Sequence, residues 1–148
     1  MLPAALWALS FLFLLRVLGQ VLVVFAGATW LPAPEEWYSG LLPYPLLLPA
    51  QLAILGLMLA INLRASRGRG HPAVRRPRLG RALIASAAVY ATVMVVRYAV
   101  SGALNPERRL LPPGILPIVF HWVLAAYLAV LGALVLREPR SNRRLAER

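Results

Sequence analysis

Four stretches of the chain are almost wholly apolar, and each approaches the roughly 20 residues that a bilayer crossing requires. They run from about Ala4 to Thr29, Leu46 to Leu63, Leu79 to Val100 and Pro117 to Leu136. Between them lie connectors in which prolines, glycines and charged residues break the pattern. Pro49 is expected to open the second helix, since proline suits the first helical turn. No segment repeats at a fixed period. The pattern predicts an all-α fold: a polytopic membrane protein forming a four-transmembrane-helix bundle, with residues 1–148 as a single membrane domain.

Within each span the polar residues recur at helical spacing. The first carries Arg16 and Gln20 and continues to Gly27. The second carries Gln51, Leu55, Met58 and Asn62. The third carries Ser86, Tyr90, Arg97 and Ser101, and the fourth His121, Ala125, Leu128 and Gly132. Polar side chains are costly against lipid and turn toward a bundle interior. The four stripes therefore read as the inward seams of the helices.

Charge adds direction. The chain has 16 basic residues, all arginine, against 5 acidic residues, all glutamate, for a net charge of +11. Seven arginines fall in the second connector and its flanks (Arg64, Arg67, Arg69, Arg75, Arg76, Arg78 and Arg81), and Arg137, Arg140, Arg143, Arg144 and Arg148 follow the last span. The first connector, residues 30–48, has Glu35 and Glu36 and no basic residue. The positive-inside rule then puts the N and C termini inside, together with the basic segments 64–78 and 137–148. The expected location is the cell inner membrane, multi-pass, with both termini cytoplasmic. Ala26-Gly27-Ala28 has the small residues of a signal cleavage site, but Met1–Trp7 has no basic n-region and the apolar run contains Arg16. Retention of the first span is expected.

This orientation gives the polar residues depths. Gln51, Arg97 and His121 each fall about a turn in from the outer end of their span, and Glu35, Glu36 and Tyr44 lie in the adjoining external segment or at its edge. A cluster of Gln51, Arg97 and His121, closed by a glutamate, is the expected candidate site. Two readings of it compete: interhelical hydrogen bonds that serve only as glue, or a polar pocket for a lipid headgroup, quinone or small anion. Arg16 stands apart, near the middle of the first span, with no acid inside any span to neutralise it. With Gln20 it is expected to fill the bundle seam or to contact another membrane subunit. Trp30, Trp37, Tyr38 and Tyr44 fit an interfacial aromatic belt, and the proline-rich segment around them is equally able to cap an outer pocket.

The sequence has no cysteine, which removes disulfides, thiol catalysis and iron–sulfur ligation. One intramembrane histidine cannot supply a pair of axial haem ligands, and no HExxH, glycine-rich phosphate loop or P-loop occurs. No catalytic residue, metal site or cofactor is expected. The arginine-rich segments suit anionic headgroups at the cytoplasmic face, rather than nucleic acid. These features predict a small non-catalytic inner-membrane protein that binds a partner subunit, a second copy of itself or lipid through its outer polar cluster. The alternative is a membrane enzyme or redox component acting on a lipid-soluble substrate such as a quinone.

Overall fold

The computed structural model describes residues 1–33, 37, 44–67, 77–104 and 115–137. Glu35 and Glu36 lie outside these residues, as does the side chain of Tyr44. The described residues are helical apart from short caps, and four helices are long and apolar enough to cross a membrane: α1 (Leu2–Ala26), α2 (Tyr44–Ser66), α3 (Pro77–Leu104) and α4 (Ile115–Leu136).

The helix ends differ from the apolar runs for local reasons. Helix α1 stops at Ala26, three residues before the apolar run ends. Gly27 takes the left-handed conformation there (φ 59°, ψ 35°) and returns its N–H to the Leu22 carbonyl. Helix α2 begins at Tyr44 rather than at Pro49, which sits inside the helix. Pro45 occupies the first turn, where the missing N–H costs nothing, and Pro49 one turn later leaves the Pro45 carbonyl without its usual donor. Helix α3 is the longest at 28 residues and runs four residues past Val100.

Helix α1 packs against both α2 and α4, and α4 packs most extensively against α3, giving the lateral order α2–α1–α4–α3. Helices α2 and α3 do not pack against each other, so the bundle is open along that side. Leu6, Phe13 and Val17 of α1, Met58 of α2, and Tyr127 and Leu134 of α4 form the buried core. Outward positions are large and apolar: Phe11, Leu57 and Val89 are each more than half exposed. Lipid accommodates such a surface, which a soluble monomer rarely carries.

Apolar burial gives little drive to associate helices within lipid, so close approach and hydrogen bonds matter more. Gly80 and Gly132 supply the approach between α3 and α4. A Cβ on Gly132 would lie 2.8 Å from the Gly80 carbonyl oxygen. This explains why the third stripe is not the buried seam of α3. Gly80, Ala87 and Met94 are the buried residues, while Ser86 is exposed and Tyr90, Arg97 and Ser101 are half-buried to one side. Small residues let α3 lie against α4, and its polar residues lie off that contact.

Hydrogen bonds tie the half of the bundle that holds the N-terminus. Asn62 Nδ2 donates to Ser10 Oγ (2.8 Å) and the Leu6 carbonyl (3.4 Å), joining α2 to α1. The Tyr127 hydroxyl lies 3.0 Å from Asn62 Oδ1 and 3.3 Å from the Met58 carbonyl oxygen, reaching from α4 across to α2. Trp7 Nε1 donates to Ser66 Oγ at 2.9 Å.

Candidate functional site

Arg16 and Gln20 stand one turn apart on the buried face of α1, and both are almost wholly enclosed. Arg16 Nη1 donates to Gln20 Oε1 at 3.3 Å, and the same oxygen accepts Gln51 Nε2 of α2 at 3.0 Å. Gln20 therefore bridges the guanidinium to the second helix. Arg16 Nη2 donates to the Trp37 carbonyl at 3.4 Å. Its guanidinium carbon also lies 5.6 Å from the centroid of the Phe120 ring of α4, within the range of a cation–π contact.

Trp37 reaches this centre because Gly19 makes room for it. A Cβ at position 19 would meet the Trp37 ring at 2.5 Å, and the indole is buried, with its Nε1 bonded to the Pro32 carbonyl at 3.0 Å. Trp37 thus departs from the expected aromatic belt, whereas Trp30 is 76% exposed. The hole left by glycine, beside a buried cation that needs acceptors, draws the backbone of residue 37 into the bundle.

Two mismatches remain at this centre. A guanidinium has five N–H donors, and among the described residues Arg16 meets two long hydrogen bonds and an aromatic face. All five glutamates lie outside the described residues. Conversely, Gln51 Oε1 is a buried acceptor with no hydrogen-bond partner. Such a group costs on the order of 1–3 kcal/mol when left unpaired.

His121 of α4 approaches the centre from the other side. Its Nδ1 is hydrogen-bonded to the Pro117 carbonyl oxygen one turn earlier. Its ring centroid lies 5.6 Å from that of Tyr90 on α3, tilted by 43°.

The structure thus joins Gln51 to Gln20 and Arg16, and sets the His121 ring beside that of Tyr90. The sequence reading set Arg16 apart from the candidate cluster and gave no role to Gly19, Tyr90 or Phe120 there. The i, i+4 pair Arg16–Gln20, beside a glycine, was the signal that marks this face of α1.

Among the described residues, no three His, Cys, Asp or Glu side chains gather to hold a metal ion. The groups that do converge are donors, an unpaired acceptor and aromatic faces. Fold and site together define an all-helical four-helix bundle with a polar centre enclosed among its helices. Compared with protein-family models, curated proteins and solved structures, the chain matches none.

Proposed function

We propose that the chain is a small multi-pass protein of the inner membrane, with both termini and the 64–78 segment cytoplasmic. It acts by binding rather than by catalysis. The binding centre is the layer of Arg16, Gln20 and Gln51, with Tyr90 and His121 beside it, and its ligand is a lipid-soluble molecule or a helix of a membrane partner. Arg97, with Glu35, Glu36 and Tyr44, belongs to the outer approach to this centre. The arginine-rich segments contact anionic headgroups.

The observation that carries this reading lies at one place: a buried guanidinium that meets only two long hydrogen bonds among the described residues, linked through Gln20 to a buried acceptor without a donor. A purely structural layer gains by pairing its own groups, because interhelical hydrogen bonds in lipid are worth only about 0.6 kcal/mol on average and unpaired ones cost more. An incoming group that carries an acceptor for Arg16 relieves the larger mismatch. Native mass spectrometry of gently solubilised wild type and Arg16→Gln tests it. A bound mass or partner on the wild type that the folded variant lacks is the expected result. Identical, unliganded spectra from both would defeat the proposal.

A further inference from the structure

A groove of about 230 Å³ lies between α1 and α2, walled by Trp7, Phe11 and Leu14 on one side and Leu55 and Leu59 on the other. None of the residues of the polar centre lines it. Its polar lining is Ser10, Asn62 and the Trp7 indole, and the chain's own bonds already engage all three. Ser10 Oγ donates to the Leu6 carbonyl (2.9 Å) and accepts from Asn62 Nδ2 (2.8 Å). Asn62 Oδ1 accepts the Tyr127 hydroxyl (3.0 Å), and Trp7 Nε1 donates to Ser66 Oγ (2.9 Å). The groove therefore suits an occupant with no hydrogen bonds to make there.

Size narrows that occupant. The volume falls below the roughly 300–1,000 Å³ of small-molecule sites. From Trp7 to Leu14 the groove follows seven residues of α1, roughly 10 Å at 1.5 Å per residue. Spread over that length, its volume gives a cross-section of about 20 Å², against roughly 80 Å² for a helix 10 Å across. A partner's helix does not enter such a slot, whereas a single hydrocarbon chain does.

Depth and charge supply the rest. Leu14 is the midpoint of α1 and Leu55 that of α2, so the groove runs from the middle of the membrane toward the end that carries Ser66. Arg64 and Arg67 lie nine and twelve residues past Leu55, roughly 14 and 18 Å along the axis. The hydrocarbon ends about 15 Å from the middle, so both arginines stand at the level of lipid headgroups. Arg67 is exposed and directly follows Ser66, whose hydroxyl takes the Trp7 indole at the mouth of the groove. Neither α1 nor α2 contains an acidic residue, so the charge that these helices present at the mouth is positive.

We infer that the groove seats one acyl chain of an anionic phospholipid whose phosphate lies at Arg67, with Arg64 at the same level. Such a lipid places apolar matter along Phe11, Leu14, Leu55 and Leu59 and negative charge at the mouth. The site is separate from the layer of Arg16, Gln20 and Gln51.

The test titrates the full chain in neutral detergent with dioleoyl phosphatidylglycerol or dioleoyl phosphatidylcholine and reads the first binding event by native mass spectrometry. Leu59→Trp and Leu14→Trp fill the groove from either wall, and Leu57→Trp adds bulk at an exposed position outside it. Helicity and melting identify the variants that fold. The Kd for phosphatidylglycerol is expected to rise at least about tenfold in a folded groove variant, a change equivalent to about 1.4 kcal/mol, and to stay unchanged in Leu57→Trp. Wild type should prefer phosphatidylglycerol to phosphatidylcholine, and Arg67→Gln should narrow that preference by about fivefold. Wild-type affinity in a folded groove variant, or equal affinity of wild type for the two lipids, overturns the inference. So does a second copy of the chain, in place of lipid, that the groove variants lose. Loss of the lipid in folded Arg16→Gln but not in Leu59→Trp would assign it to the polar centre, which overturns the groove site and leaves the binding reading above standing.

Discussion

Replacing Gly132 by alanine adds one methyl group at the tightest helix crossing, and its effect follows from distances. The new Cβ would lie 2.8 Å from the Gly80 carbonyl oxygen, 2.8 Å from Ile84 Cγ1 and 3.2 Å from the Ile84 nitrogen. Favourable contacts between heavy atoms begin near about 3.5 Å. Helix α3 must therefore retreat by roughly half an ångström or more, and two of the three obstacles are backbone atoms that cannot rotate away. Overpacking of this kind costs about 1–3 kcal/mol. Alanine also favours the helix over glycine, by about 1 kcal/mol, so the net loss is up to about 2 kcal/mol. Gly56→Ala is the internal control: a Cβ there meets nothing within 4 Å, and only the helix-propensity gain remains. Unfolding of the purified chain by a mixed-micelle denaturant titration, followed by helicity, reads both variants against wild type. Gly132→Ala is expected to be less stable and Gly56→Ala equal or more stable. A Gly132→Ala chain as stable as Gly56→Ala would refute the α3–α4 crossing described above.

Further outcomes test other parts of the account. Tyr127→Phe removes the hydroxyl that spans from α4 to Asn62 and Met58, and should lower stability by about 1 kcal/mol, within the range measured for interhelical bonds in lipid; no change in the same titration would contradict it. In single-tryptophan variants, buried Trp37 should resist an aqueous quencher while exposed Trp30 is quenched; equal quenching would return Trp37 to the interfacial belt. Reporter fusions at Gly70 and at the C-terminus should show cytoplasmic activity, and one at Ser39 periplasmic activity, as the arginine asymmetry requires. A periplasmic Gly70 would reverse the assigned orientation.

The number of helices and the inward faces of α1 and α2 were legible in the sequence because a polar pair at i, i+4 in an apolar run has only one inexpensive direction to point. Arg16, Gln20, Gln51 and Asn62 are all buried. What sequence could not supply was level and neighbour. Gln51 looked little more than a turn deep because its apolar run was counted from Leu46. With α2 beginning at Tyr44, Gln51 sits seven residues in, against six for Gln20 from the end of α1 at Ala26, so the two side chains meet. On α3, Tyr90, which the sequence reading left out of the cluster, is the residue whose ring stands beside His121. The stripe on α3 also misled, because glycine and alanine, which show no polarity signal, decide where two helices touch in lipid. Trp37 needed knowledge of the hole above Gly19, which exists only once α1 has neighbours.

The central claim is that a bound molecule completes the layer around Arg16, and mass action offers the most direct test. A ligand that binds only the folded chain stabilises it in proportion to its occupancy, and removing that ligand takes the stabilisation away. The melting midpoint should therefore be measured for wild type and Gln51→Leu before and after exhaustive exchange into lipid-free detergent, and again after a total membrane lipid extract is restored. Wild type should lose several degrees on exchange and regain them with the extract, while Gln51→Leu, with the acceptor gone, should respond much less. Equal responses from the two chains, or none from either, would mean that Arg16, Gln20 and Gln51 only hold the helices together.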